Sequence, residues 1–206
     1  MADIPLKRLC PSLQSGEERF RDGSRDLGVT ALDYWRWSMS DMVANTMRGF
    51  LAEFLVAKAL GIATDQARVD WGSFDLKTED GVRIEVKSSA FIQTWGQEKL
   101  SRISFKMARR RGWDPETNKT ASERQRHADI YVFALIAHRD KATIDPLDLS
   151  QWQFWALPCR VLEESRPNQK SLSLTTLRKL AGESVGFANL APAFREAVRR
   201  QRGEGG

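Results

Sequence analysis

Cysteine and histidine are both scarce in this 206-residue chain, and each shortage removes a class of protein. Cys10 and Cys159 are the only thiols, far apart and in no metal-type spacing, so a disulfide framework and a thiolate metal cluster are excluded. Both are expected to be reduced, with Cys159 buried. His127 and His138 are too few for a zinc finger or a histidine-based nuclease centre. Any metal must therefore be held by carboxylates. No apolar run approaches the ~20 residues of a membrane span, and the opening MADIPLKRLCPSLQSGEERFRDG has no signal-peptide core. The expectation is a cytoplasmic protein with no membrane partner. Repeats, low-complexity tracts and a P-loop are missing as well.

What is present is a soluble composition, 41% apolar, with a net charge of +5. The sequence pI is about 9.4 and the mean hydropathy −0.46. The length suits one ordinary core, and the basic balance favours an anionic partner, of which nucleic acid is the commonest. The expected organisation is an N-terminal cover segment over 1–40, a core over 41–158, and a helical extension of the same domain over 159–206.

The first forty residues read as polar and irregular, apart from LDYWRWSM, whose aromatics should cover the core. Trp35, Trp37, Trp152 and Trp155 are read as core or cover. A helix is predicted over 41–60, with Ser40 as N-cap, Asp41 in the first turn and Gly61 as the stop. It is apolar almost all round, as a mostly buried helix would be. SRISFKM at 101–107 alternates like a strand with one wet face. The basic stretch 108–128 reads as a loop with a short helix near 121–127. DIYVFALIA at 129–137 is continuously apolar, the pattern of a central strand covered on both sides. A strand over 151–158 and helices near 159–164, 175–180 and 191–201 complete the chain, with a further strand in KSLSL.

WGSFDLKTEDGVRIEVKSS, residues 71–89, carries charges inside two strand-like runs. A three-residue loop Glu79-Asp80-Gly81, with Gly81 in the left-handed position of a G1 bulge, pairs Thr78 with Val82. Leu76 then faces Ile84 and Phe74 faces Val86 on an apolar side, while Asp75 opposes Glu85 on the other, with Lys87 two residues on. A two-residue loop would scramble both faces. Opposed carboxylates repel across ~4.5–5.5 Å, and a hard divalent cation such as Mg²⁺ would relieve them. An ordinary solvated face laced with salt bridges would have the same residues. Glu53 falls on the wheel among Gly49, Val56, Ala57 and Leu60, so it should be partly buried and must find a cation, a donor or a proton. Arg83 or Lys77 are the structural partners in reach.

In order, RGFLAEFLVAKAL, GSFDLK, IEVKSS, SRISFKM and DIYVFALIA resemble the PD-(D/E)xK nuclease superfamily, the restriction-endonuclease-like fold. The likeness covers roughly 41–137. Phe74 stands where the family pattern has Pro. The resemblance implies an α/β fold with an αβββαβ core, a mixed central sheet flanked by helices. It further implies a Mg²⁺-dependent DNA endonuclease of restriction, defence or repair type, in which Mn²⁺ substitutes. Asp75 and Glu85 would be metal ligands, Glu53 would complete the metal shell, and Lys87 would position or polarise the attacking water. Cutting both strands would call for a homodimer.

Ser88, Ser89 and Gln93 follow the E-x-K triplet and could donate to phosphate or to a metal-bound water. Lys106, Arg109, Arg110, Arg111, Lys119, Arg124 and Arg126 form the basic patch expected to contact a DNA backbone. The alternative is a non-catalytic nucleic-acid-binding module of the same fold. Such a module would have no physical need to keep opposed carboxylates.

Overall fold

The structure, a computed structural model, describes residues 9, 11–68, 72–114 and 117–204. Cys10, and with it the reading of that thiol, lies outside them, as does Trp71 of the hairpin. The chain opens with strands β1 (Arg19–Asp22) and β2 (Arg25–Thr30) and helices α1 (Ala31–Met39) and α2 (Asn45–Leu60). Strands β3 (Leu76–Lys77), β4 (Arg83–Ala90), β5 (Ser104–Lys106), β6 (Arg110–Asp114), β7 (Lys119–Gln125), β8 (Ile130–Ile136) and β9 (Trp152–Pro158) follow. The chain then runs through α3 (Cys159–Ser165), β10 (Ser171–Ser173), α4 (Leu174–Ala181) and α5 (Leu190–Arg202). The protein is mixed α/β, with the central sheet ordered β3-β4-β8-β9.

β8 is buried along its whole length because two cores meet on it. Ile130, Val132, Ala134 and Ile136 join Ala52, Leu55 and Val56 of α2 and Leu190 and Phe194 of α5. Tyr131, Phe133 and Leu135 point the other way, into Phe105, Trp155, Leu157, Leu162, Leu172 and Leu177. Period-two alternation between two apolar clusters is what a continuous apolar run encodes in a central strand. At ~1.5–3 kcal/mol for each large side chain, burial on both faces makes this strand the main hydrophobic anchor. It runs parallel to β4 and antiparallel to β9.

The hairpin register is the one the hydrophobic pattern selects. Leu76 pairs with Ile84, Thr78 N–H donates to Val82 O at 3.0 Å, and Gly81 has φ 88. The ladder nevertheless stops at Leu76. Asp75 donates its own N–H to Ile84 O (2.9 Å), and its Oδ2 accepts the Val86 N–H at 2.7 Å, in the role a strand carbonyl would play. Phe74 thereby turns to the second core while Val86 stays in the first, so the expected Phe74–Val86 pair does not form. From Glu85 onward β4 has a strand neighbour on one side only, β8.

Three other expectations are corrected. α2 starts at Asn45, and Ser40 instead caps the C-terminus of α1. Asp41 accepts the Ala44 N–H from before the helix. β5 leaves the central sheet to pair with β10. The helix near 121–127 is strand β7, paired with β6. KTASERQ has a single apolar residue, Ala121, so a helix there would have no apolar stripe to bury. The αβββαβ order is thus not reproduced between β4 and β8.

The N-terminal residues also differ from the reading. Asp22-Gly23, a hairpin signal, turns β1 into β2, and Thr30 and Asp33 form a capping box that starts α1. No α1 residue is buried; Tyr34 is 47% and Trp37 83% exposed, so these two aromatics do not cover the core. Trp152 and Trp155 do belong to it. Cys159 is a buried free thiol, pushed up to about 11 chiefly by that burial. Among the described residues no helix is long and apolar enough to cross a membrane.

A bidentate ion pair joins the first residue of β4 to the residue before β8: Arg83 Nη2 and Nε donate to Asp129 at 2.7 and 3.0 Å, and the Arg83 N–H adds a third bond at 2.9 Å. These bonds hold the Asp129 carboxyl below its ordinary value. A depressed folded pKa adds stability above the unfolded value of ~3.9 that is lost as pH falls through the folded one. Asp129→Asn is expected to cost about 1 kcal/mol at neutral pH. Urea unfolding of both proteins should show that gap closing below pH ~4.

Candidate active site

A cleft of about 720 Å³ opens between the N-terminal half of α2, the exposed end of β4 and the start of β6, lined by Glu53, Glu85, Lys87, Ser88, Ser89 and Gln93 among others. β4 sends Ile84, Val86 and Ala90 to the first core, so alternation turns Glu85, Lys87 and Ser89 to the opposite side. Glu85 is 3% exposed. Its Oε1 accepts from Lys87 Nζ at 2.6 Å and from Arg110. Burial raises its pKa first; Lys87 and Arg110 oppose that, and the Asp75 charge adds to it.

Glu53 is 9% exposed on α2. Its partner is neither Arg83 nor Lys77 but Arg68, which donates Nε to Oε2 at 2.6 Å and Nη2 to Oε1 at 2.9 Å while lying over the Phe50 ring. Burial again raises the pKa, with Arg68 and Lys87 opposing and Asp75 reinforcing it. Asp75 sits at the open edge of β4 rather than on the cleft wall, yet its charge reaches both glutamates. The three carboxylates and Lys87 thus share one electrostatic environment. Among the described residues, no group of three or more His, Cys, Asp or Glu side chains is drawn together as a metal site.

Gln93, 6% exposed, donates to Ala90 O and Ser101 Oγ, which leaves its Oε1 buried without a partner at the cleft. Arg48 and Tyr131 also line the cleft and were not singled out in the sequence. A cation in an apolar helix, five residues before Glu53, was the available signal for Arg48. Arg68 had none, because a loop residue's partner is set only by the folded path. A larger cleft, about 970 Å³, lies between the end of α2 and α5 and contains none of the sequence-predicted site residues.

The structure divides the basic patch. Lys106 and Arg110 line the cleft. Arg111, Lys119 and Arg124 are exposed on the β6–β7 hairpin. Arg109 is paired with Glu163. The Arg126 side chain is 0% exposed, so it cannot lie in a surface patch. It donates to Glu163 Oε1 (2.7 Å) and to the carbonyls of Met107, Arg166 and Gln169. Burial works to raise the Glu163 carboxyl, but the two arginines hold it low. Arg126→Ala would leave those acceptors without their donor and is expected to cost about 2–4 kcal/mol. A denaturant midpoint unchanged from wild type would contradict the assignment.

The cleft thus brings the buried Glu53 and Glu85, the paired Lys87 and the basic Lys106 and Arg110 together on a mixed α/β scaffold. The sequence model of the bacteriophage T4 endonuclease IV family matches residues 14–176, from before β1 into α4, and the chain belongs to that family. Membership gives its class, a nuclease. No curated protein matches the chain.

Proposed function

We propose that the protein is a Mg²⁺-dependent DNA endonuclease whose site is of the PD-(D/E)xK kind. The observation that carries this reading is the Glu85–Lys87 pair in a cleft, its carboxylate buried, with the charges of Asp75 and Glu53 acting on it. The donor set is of the kind a hard divalent cation takes, since it offers carboxylate oxygens alone; Arg68 now holds Glu53, and Lys87 and Arg110 hold Glu85, so the ion would take the place of part of that positive charge. Asp75 and Glu85 would hold the ion, with Glu53 completing its shell. Bound there, Mg²⁺ supplies Lewis-acid charge neutralisation and a more acidic water.

The chain's own groups do the rest. Lys87 places an ammonium in the cleft, where it orients the water for attack on phosphorus and offsets charge building on the phosphoryl oxygens. Ser89, on the face of Glu85 and Lys87, brings a hydroxyl to that wall for the phosphate, and Ser88 lines the cleft from the neighbouring position. Gln93 donates to Ala90 O and Ser101 Oγ and so braces the same wall. Exposed Lys106 at the mouth attracts the DNA backbone.

Incubating the purified protein with supercoiled plasmid and with RNA, in Mg²⁺, Mn²⁺ or EDTA, tests the reading. Nicked or linear plasmid is expected with either metal and none with EDTA. Full cleavage in EDTA would remove the metal role, and DNA binding without cleavage in any metal would favour the non-catalytic module.

A further inference from the structure

The loop between β4 and β5 is braced along its length. The Ser101 N–H donates to Phe91 O at 2.8 Å and closes it. Gln97 Oε1 accepts the Gln93 N–H at 2.7 Å, while its Nε2 donates to Phe91 O at 3.2 Å and to Ser101 Oγ at 3.0 Å. Gln93 Nε2 adds bonds to Ala90 O and Ser101 Oγ. Ile92 is buried, and the Arg139 guanidinium lies 4.3 Å over the Phe91 ring. From a separate loop Lys141 Nζ donates to Trp95 O. A loop whose ends are joined and whose interior is filled by its own side chains is a firm mount. Midway along it stands Trp95, 55% exposed and lining the candidate cleft.

A lone exposed aromatic is ordinary on a protein surface. Among the described residues, however, Trp95 is the one large, well-exposed apolar side chain in the lining of this cleft. One wall of the same cleft is cationic, for a reason of strand geometry. Ile103, Phe105 and Met107 enter the second core, so Arg102, Ser104 and Lys106 alternate outward, and all three line the cleft. Among the described residues neither Arg102 nor Lys106 is ion-paired. The cleft therefore combines an aromatic face held in place, two unpaired cations on one strand face, and the Glu85–Lys87 pair.

We infer that Trp95 is a stacking platform for one nucleobase of the substrate strand, with Arg102 and Lys106 on its phosphates. The inference rests on the endonuclease reading and adds to it a contact with a base. A groove that pairs cations for the backbone with an aromatic ring for the bases holds a strand by charge and stacking together. A base inside a duplex is already stacked on its neighbours, so the platform takes a base that is unpaired or extruded. The mount is ordered before the strand arrives, so binding loses little loop entropy.

The test is binding in EDTA of a labelled oligonucleotide strand of mixed sequence, and of a series each lacking one base at a successive position, to wild type, Trp95→Ala, Trp95→Phe, Trp37→Ala and Arg102→Ser/Lys106→Ser. Trp95→Ala is expected to bind the intact strand about 5–150-fold more weakly, the span for losing one stacked base. Trp95→Phe should recover most of that loss. Trp37→Ala, which removes a more exposed tryptophan outside the cleft, should match wild type, and unfolding midpoints should not move. In wild type one abasic position should weaken binding by about the factor lost in Trp95→Ala, and Trp95→Ala should be indifferent to that position alone. The Arg102/Lys106 pair should show a log–log salt slope shallower by about 1.4 across ~50–200 mM salt, or ~0.7 for each phosphate contact on a single strand. Equal abasic losses in wild type and Trp95→Ala at every position, or equal weakening by Trp37→Ala, would overturn the platform while leaving a cleaving enzyme intact. A wild-type slope in the Arg102/Lys106 pair would overturn their place on the phosphates. Abasic-dependent binding with no cleavage of the strand or of plasmid in Mg²⁺ or Mn²⁺ would sink the endonuclease reading alone, and no DNA binding by wild type would sink both.

Discussion

Lys87→Ala is expected to lower plasmid cleavage by about 10²–10⁴-fold, the range for losing a group that acts on the reacting water or its charge. Affinity for DNA in EDTA should stay within a few fold, because the ammonium is one cation among several at the cleft. The structure adds a control to this. Lys87 also neutralises the nearly buried Glu85, which would be left with Arg110 alone. Some loss of stability is therefore expected in the alanine variant, and Lys87→Arg, which keeps a cation against Glu85, should recover it without recovering the full rate. Cleavage at the wild-type rate by Lys87→Ala would end the catalytic assignment. Full recovery of rate in Lys87→Arg would reduce Lys87 to a charge partner of Glu85.

The second large effect is at Asp75, where two roles can be separated by choice of substitution. Its charge works against ionisation of Glu53 and Glu85, while its Oδ2 closes the backbone ladder at Val86. Asp75→Asn removes the charge and keeps an acceptor. Relief of repulsion, on the order of 0.2–1 kcal/mol, then acts against a weaker bond to the Val86 N–H, so metal-free stability should change by less than about 1 kcal/mol. Asp75→Ala removes the acceptor and is expected to cost about 1–3 kcal/mol. Both variants should lose cleavage. Mg²⁺ or Mn²⁺ stabilises wild type by RT ln(1 + [L]/Kd) if it binds the folded state alone, and that thermal shift should shrink in both. An equal shift in wild type and Asp75→Asn would place the ion elsewhere.

Much of the candidate site's geometry was legible because its signals are local. A strand alternates its faces, so Glu85 and Lys87 had to share a side once Ile84 and Val86 were assigned inward. Gly81 in a T-E-D-G turn determined the pairing of Leu76 with Ile84. Glu53 among apolar neighbours announced its burial. The failures share a cause. Arg109 and Arg126 belonged by composition to one basic run, yet they serve Glu163, a residue on a distant helix. The 121–127 stretch has helix-forming residues, but strand pairing depends on a partner across a turn. Trp37 was placed against a core that does not reach it.

By itself the sequence determined the elements whose period is written in consecutive residues: the central strand β8, the body and end of α2, the hairpin register and the common face of Glu85 and Lys87. Burial of an apolar face outweighs other local preferences, so periodicity alone sufficed. Only the tertiary structure decided where β3 ends, that the Asp75 side chain takes over the ladder there, that Arg68 reaches Glu53, and that β5 pairs with β10. It also separated the basic run into the two Glu163 partners, Arg109 and the buried Arg126, and an exposed hairpin. Those outcomes depend on contacts between residues far apart in the chain, where a charge's partner is set by the path of the backbone and not by its neighbours in sequence.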